Sequence, residues 1–158
     1  MRIPSVVDEP RMDGTPAHGR IPGIFVISAS GPRSYARPVS TEHQVTVHRF
    51  EASLFPVNAY LVETRTAVVV IDATLGVTDG RALRARVGAL KKPLAAVIIT
   101  HSHPDHYGGV TSLLGGTNVP IYAIAGVDEV IRRDDAATEQ ILRPMFGDEW
   151  VAVRTFPT

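Results

Sequence analysis

The pattern of apolar and polar positions becomes regular from about residue 44 onward. Residues 45–50 alternate between apolar and polar side chains, which is typical of a half-buried strand. Residues 58–63 and 67–72 form two further strand-like runs, separated by a three-residue turn, so we expect a hairpin. The second of these runs is continuously apolar, which indicates a strand covered on both faces.

Downstream of the hairpin the pattern alternates between helix and strand. Thr78 or Asp79 is predicted to cap a helix that runs to about Leu90. The later elements are predicted as a buried strand at 94–100, a short helix at 105–114, a strand at 119–123, a helix at 126–142 with a candidate break near residues 134–135, and a strand at 150–156. This order favours an α/β architecture with partly parallel strand pairing.

Residues 1–40 differ from the rest of the chain. They contain six of the twelve prolines and show no sustained periodicity. One apolar patch at 21–27 is compatible with an edge strand, because its prolines argue against a central one. We therefore predict an irregular, proline-rich extension at 1–40 and a folded domain at 41–158.

The composition limits the classes of partner and of metal site. Sixteen basic residues balance sixteen acidic ones, which gives no electrostatic case for nucleic acid or an anionic membrane. The chain contains no cysteine, so a metal would be held by His, Asp or Glu. The first residues lack the apolar run of a signal peptide, and no stretch is long enough to span a membrane. We expect a cytoplasmic protein that acts on a small molecule.

The candidate chemistry lies directly after the predicted strand at 94–100. His101, His103, Asp105 and His106 fall within six positions. Imidazole nitrogen and carboxylate oxygen are suitable ligands for zinc, iron or manganese. Gly108 and Gly109 would let the backbone pack closely behind these side chains. The spacing suits two adjacent metal ions, or one metal with a neighbouring carboxylate.

The segment His-Ser-His-Pro-Asp-His, followed by Tyr-Gly-Gly, resembles the H-x-H-x-D-H signature of the metallo-β-lactamase-fold metallohydrolases. Residues 58–63 and 69–74 are similar to the first strand pair of that family and to the Asp-containing turn that closes it. The likeness covers about residues 45–158. It implies an αββα sandwich, of which this length covers roughly the first sheet layer.

The resemblance also implies a role for each matching residue. His101 and His103 would bind a first metal ion, while Asp105 and His106 would bind a second, or Asp105 would orient the attacking water. Asp72 would lie beneath the site and hydrogen-bond a ligand imidazole or fix the turn. The implied activity is metal-dependent hydrolysis of an ester, thioester, lactone or phosphodiester, with one or two zinc ions expected first, and iron or manganese as alternatives.

In that family, further metal ligands follow downstream: a third His for the first metal, a bridging Asp, and a last His. This chain has no His after His106. His43 and His48 are candidate substitutes, but His48 fits a strand face, and His18 belongs to the extension. The later acidic residues are interpreted as solvated charges or caps: Asp134, Asp135, Glu139, Asp148 and Glu149. Asp148 is the best substitute ligand among them. The arginines of the same region, Arg132, Arg133 and Arg143, are interpreted as solvated.

Three hypotheses follow from this incomplete ligand set. The first is the N-terminal part of a metal-dependent hydrolase. The second is a non-catalytic metal-binding or interaction module that uses the incomplete site. The third is a homodimer that completes the site between two chains. A first sheet layer without its partner would expose apolar surface, so self-association through that surface is also expected.

Overall fold

The computed structural model describes residues 45–158, and the extension predicted at 1–40, with its apolar patch at 21–27, lies outside that range. The described residues form one five-stranded sheet in the order β1-β2-β3-β4-β5. The first two pairs are antiparallel and the last two are parallel, so the hairpin and the partly parallel pairing are confirmed. The strands are β1 (Thr46–Glu51), β2 (Asn58–Glu63), β3 (Val68–Ile71), β4 (Leu94–Ile98) and β5 (Ile121–Tyr122).

Helices connect the parallel strands, as the alternating pattern predicted, and one further helix, α4, follows the last strand. They are α1 (Val77–Ala89), α2 (Pro104–Tyr107), α3 (Val110–Leu114) and α4 (Ala125–Phe146), followed by a single 3₁₀ turn at Gly147–Glu149. The α/β class is therefore confirmed. No helix within the described range is long and apolar enough to cross a membrane.

The two faces of the sheet differ in burial. Leu61, Val70 and Val97 point to the face on which Leu83 of α1 and Leu113 of α3 pack, and all five are almost fully buried. The opposite face carries a cross-strand row formed by Tyr60, Ile71, Ile98 and Tyr122.

This second face is open, as a first sheet layer without its partner predicts, although the apolar run at 67–72 predicted a strand covered on both faces. Tyr60, Ile98 and Tyr122 are 37%, 38% and 52% exposed, and Ile71 is half-buried. The expectation that the strand at 67–72 is covered on both faces is therefore wrong for residues 45–158, since the described helices pack on one face only. Self-association through this row stays a prediction.

The start of α1 differs from the predicted cap. The helix begins at Val77, and neither Thr78 nor Asp79 caps it. Asp79 is buried and accepts hydrogen bonds from the backbone N–H groups of Ser53 and Leu54 and from the Ser53 hydroxyl. The distant Glu149 carboxylate instead accepts the Thr78 backbone N–H at 2.8 Å, so it satisfies one free donor of the first turn.

Three further element predictions are wrong. Residues 105–114 form two short helices rather than one, because the chain turns at Gly108 and Gly109. Helix α4 runs unbroken through residues 134–135, where Asp135 contacts Tyr107 and Arg154. Residues 150–156 are irregular rather than a strand, since side chains fix them: the Thr111 hydroxyl donates to the Val153 carbonyl at 2.8 Å.

Candidate metal centre

A strained turn at residues 72–74 supports the histidine cluster. Asp72 and Thr74 have φ angles of 61° and 64°, in the left-handed region, where a non-glycine residue costs roughly 1–2 kcal/mol. The turn persists because its backbone is bonded to the following loop. The Ala73 N–H donates to the His106 carbonyl at 2.7 Å, and the Gly109 N–H donates to the Thr74 carbonyl at 2.9 Å.

Gly109 is required by a close approach of two backbones. A Cβ atom there would overlap the Ala73 carbonyl oxygen and would come within 2.9 Å of the Thr74 hydroxyl. A Cβ atom on Gly108 would overlap the Leu75 carbonyl oxygen in the same way. The prediction that these glycines let the backbone pack closely behind the cluster is confirmed.

The Asp72 side chain lies beneath the cluster and is 5% exposed. It accepts the Thr100 backbone N–H at 2.9 Å and lies 2.8 Å from the Thr100 hydroxyl. It also lies 2.8 Å from Nδ1 of His106. The hydrogen bond from Asp72 to an imidazole, expected from the family resemblance, is therefore present, and its partner is His106.

The loop brings the four predicted ligands together. The ring centroids of His101 and His106 are 3.7 Å apart, and those of His101 and His103 are 4.9 Å apart. Nε2 of His106 lies 3.4 Å from an Asp105 carboxylate oxygen. With Asp72 on its Nδ1, His106 directs Nε2 towards this group, as metal-binding histidines do.

The four side chains of the cluster have the chemistry of metal ligands, but their positions do not form a complete metal site. Three imidazoles and a carboxylate are suitable ligands for zinc or iron. In residues 45–158, however, no three His, Asp or Glu side chains are grouped so that they could hold a metal ion. The His101 and His106 rings pack against each other, so binding would require them to separate. The cluster fits part of a coordination shell.

The surroundings of His101 favour its neutral form. Burial lowers its pKa most, and the neighbouring His106 and His103 lower it further, against the opposing influence of Asp72 and Asp105. Neutral imidazole is the form that binds metal, so this shift favours binding.

Among residues 45–158, the substitute ligands His48 and Asp148 do not join the cluster. His48 lies on β1, and its Nε2 is 2.8 Å from the Glu63 carboxylate. Asp148 lies in the exposed 3₁₀ turn. His18 and His43 lie outside the described residues.

Sequence reasoning misread Asp135 as solvated. It is 8% exposed, lies 2.8 Å from the Tyr107 hydroxyl, and accepts from Nε of Arg154 at 3.2 Å. Burial and the hydrogen bond to Asp135 raise the pKa of Tyr107. No local pattern marks this group, because its members come from three segments of the chain. Thr100 was also missed; its only signal is a hydroxyl residue directly before His101.

Comparison with known proteins identifies the family. Residues 52–155 match the model of the metallo-beta-lactamase superfamily. An uncharacterized protein YobT of Bacillus subtilis is 44% identical over 64 residues, which is 40% of this chain and 27% of that protein. A ribonuclease J of Sinorhizobium meliloti is 43% identical over 54 residues, or 32% of this chain and 10% of that protein.

Two further likenesses are of the same kind. A hydroxyacylglutathione hydrolase of Alkalilimnicola ehrlichii is 38% identical over 63 residues, or 37% of this chain and 25% of that protein. A metallo-beta-lactamase structure from Erythrobacter litoralis aligns with a TM-score of 0.49 and 25% identity, over 58% of this chain and 42% of that one. The chain thus spans no more than about a quarter of the length of the curated relatives it matches. Because the family model matches well over half of its residues, the chain belongs to the metallo-β-lactamase superfamily.

Proposed function

We propose that this chain carries part of the metal centre of a metal-dependent hydrolase. The observation that carries the proposal is the hydrogen bond between the buried Asp72 carboxylate and Nδ1 of His106, within a cluster of three imidazoles and a carboxylate. A buried carboxylate on one ring nitrogen fixes the other as a metal-binding atom. Membership of the superfamily supports the same interpretation.

The proposed roles follow the positions of the side chains. His101 and His103 would hold one metal ion. Asp105 and His106, whose reactive atoms lie 3.4 Å apart, would hold a second. If only one ion binds, the Asp105 carboxylate would instead orient a water molecule and accept its proton. Zinc is the first expectation for this His/Asp donor set, and iron or manganese is the alternative.

The reaction class follows from what a metal ion supplies when bound: a water of lowered pKa and stabilisation of negative charge on a carbonyl or phosphoryl oxygen. The side chains of the cluster would hold that ion, and the hydrogen bonds of His101 and His106 would fix the orientation of their imidazole rings. Two relatives, a ribonuclease J and a hydroxyacylglutathione hydrolase, bear names that imply different substrates. We therefore propose a hydrolase of a small ester, thioester, lactone or phosphodiester.

Metal content and turnover test this proposal together. The purified chain is dialysed against Zn²⁺ and its bound metal is measured, beside hydrolysis of a panel that covers the four substrate classes. We expect His101→Ala and His103→Ala each to weaken zinc binding at least about tenfold. Loss of a residue that supports a ligand costs about 10–100-fold in metal affinity, and loss of the ligand itself should cost at least as much. His48→Ala is the matched control, because His48 lies on β1 and its imidazole bonds Glu63 of β2, away from the cluster. Zinc binding that survives both cluster variants would contradict the proposal.

A second candidate is a non-catalytic metal-binding or interaction module. It is favoured by one observation: across residues 45–158, no three donors are grouped to hold an ion. This candidate predicts a weakly held metal that His101→Ala removes, together with no turnover of any panel substrate. Metal-dependent turnover that the same variant abolishes would exclude it.

A further inference from the structure

Thr100 links two of the proposed ligands through one carboxylate. Its hydroxyl oxygen lies 2.8 Å and 3.0 Å from the two Asp72 carboxylate oxygens and 3.1 Å from Nδ1 of His101. Its backbone N–H also donates to Asp72 at 2.9 Å. On the other side of the same carboxylate, Nδ1 of His106 lies at 2.8 Å. No role for Thr100 is predicted from the sequence.

The donors and acceptors of this chain of contacts admit one consistent arrangement. An ionised carboxylate only accepts hydrogen bonds, so the single hydroxyl proton of Thr100 is donated to Asp72. The Thr100 oxygen can then only accept at its contact with His101, which places a proton on Nδ1 of that ring. By the same reasoning His106 donates its Nδ1 proton to Asp72. Both rings therefore carry Nδ1–H, and in the neutral form of each ring Nε2 is then the unprotonated nitrogen.

The reverse arrangement is unfavourable. If the hydroxyl donated to Nδ1 of His101, its oxygen would face two carboxylate oxygens at about 3 Å with no proton between them. Lone pairs would then oppose each other beside a buried charge, which costs more than the hydrogen bond to His101 provides.

We propose that Thr100 is a positioning residue, whose hydroxyl holds His101 in the Nδ1–H tautomer, so that His101, like His106, keeps Nε2 as its metal-binding nitrogen. This inference rests on the proposed function, in which both rings are ligands. Asp72 acts directly on His106 and acts on His101 only through Thr100. One buried carboxylate thereby determines the tautomers of two proposed ligands.

The tautomers are read directly from the metal-free protein. Two-bond ¹H–¹⁵N spectra recorded at about pH 8 separate Nδ1–H from Nε2–H rings. We expect Nδ1–H for His101 and His106. His48 is the internal reference, because its Nε2 faces the Glu63 carboxylate and should carry the proton. An Nε2–H ring at His101 in the unmodified protein would overturn the proposal without any variant.

Three variants then isolate the hydroxyl. Thr100→Val removes it at nearly constant shape, and we expect His101 to become a mixture of tautomers while His106 stays Nδ1–H. Thr100→Ser should restore the original spectrum. Thr117→Val, which removes a hydroxyl bonded to the Leu114 carbonyl, should change neither ring. An unchanged His101 spectrum in folded Thr100→Val would also overturn the proposal; if that variant does not fold, the unmodified and Ser spectra decide.

Zinc affinity provides the second measurement. Competition with a chromogenic chelator should show a loss of about tenfold in Thr100→Val, the lower end of the range for outer-shell partners of metal ligands, and recovery in Thr100→Ser. Equal affinity in Thr100→Val and the unmodified chain would contradict the proposed link to metal binding. If the unmodified chain binds no zinc, the proposed function fails, whereas the tautomer spectra still decide the role of Thr100.

Discussion

Two buried aspartates organise two regions of this molecule in different ways. Asp72 lies beneath the histidine cluster, and its partners are Thr100 and His106. Asp135 lies in helix α4, and its partners are Tyr107 and Arg154. We call the second group (Tyr107, Asp135, Arg154) the clamp. The two regions meet in the chain at His106 and Tyr107, which are consecutive residues.

The difference lies in what each aspartate leaves available. The partners of Asp72 are a backbone N–H, a hydroxyl and an imidazole, and His106 keeps a second ring nitrogen that can bind a metal ion. The clamp encloses its charge: the Arg154 side chain is 5% exposed, and its guanidinium lies 3.8 Å from the Trp150 ring and 5.2 Å from that of Tyr107. A buried carboxylate thus prepares a site in one case and, in the other, joins α2, α4 and the irregular segment after residue 150.

The largest expected effect comes from breaking the clamp. Asp135→Ala leaves the Arg154 guanidinium buried without its carboxylate, and removing one partner of a buried pair costs about 3–5 kcal/mol. Urea unfolding followed by circular dichroism measures the change in free energy of unfolding. If the clamp is structural only, the zinc affinity of the variant that remains folded is unchanged.

The matched control for the clamp removes both charges. Asp135→Ala combined with Arg154→Met should be more stable than Asp135→Ala alone, since an apolar side chain replaces the unpaired guanidinium. If the double variant loses as much free energy of unfolding as Asp135→Ala and Arg154→Met lose together, the two side chains are not coupled. A loss of zinc affinity in Asp135→Ala without a loss of stability would remove the distinction between the two regions.

The next effect tests how closely the 72–74 turn approaches the histidine loop. Gly109→Ala places a methyl group against the Ala73 carbonyl, and forcing extra atoms into a packed site costs about 1–3 kcal/mol. Gly88→Ala is the control, because Gly88 lies inside α1 with open space around it and should become more stable by up to about 1 kcal/mol. Thermal melting compares the two. A tolerated Gly109→Ala would show that the close contact is not required.

The histidine loop could be predicted from sequence because its signals are local. Three His and one Asp follow a strand within six residues, and the alternation of elements places them at the edge of the sheet. The clamp could not be predicted, because Asp135 has helix neighbours Asp134 and Glu139 that look solvated, while its partners lie 28 and 19 residues away.

The helices and strands likewise are predicted correctly where the signals are local and wrongly where distant residues decide the conformation. Strand β2 matches its predicted bounds, and β1 and β3 differ by one residue at each end, since alternation and apolar runs are local features. The segment at 150–156 fails because its conformation depends on Thr111 and Asp135, which are distant in sequence. The predicted cap of α1 is wrong for a similar reason. Asp79 accepts hydrogen bonds from residues 53–54, and the distant Glu149 accepts the backbone N–H of the first turn instead.

A smaller effect separates the hydroxyl of the clamp from its charges. Tyr107→Phe removes the 2.8 Å hydrogen bond to Asp135 but leaves Arg154 in place, so we expect a loss of about 1–2 kcal/mol. Tyr60→Phe, on the exposed sheet face, is the control and should change stability little. Denaturant unfolding of both variants measures the difference. Equal stabilities would mean that the Tyr107 hydroxyl contributes nothing to the clamp.

The smallest effect concerns a partly exposed acid in neither region. The carboxylate of Glu63 contacts Lys92 at 2.6 Å and His48 at 2.8 Å, and the hydrogen bonds from Lys92 and then His48 hold its pKa below the ordinary value of 4.5. Its ionised form is therefore favoured in the folded state. The stability that results is complete above pH 4.5 and is lost as the pH falls through the lowered pKa of the folded protein.

Glu63→Gln tests this dependence. The variant should be less stable than the unmodified chain at pH 7, and the two unfolding curves should converge below pH 4.5, because the unmodified chain then loses its ionic contacts. Glu51→Gln is the control, since its contact with Arg49 is exposed at 3.3 Å and contributes little at any pH. A difference between Glu63→Gln and the unmodified chain that stays constant from pH 7 to pH 3 would show that packing of the side chain, rather than its charge, stabilises this edge of the sheet.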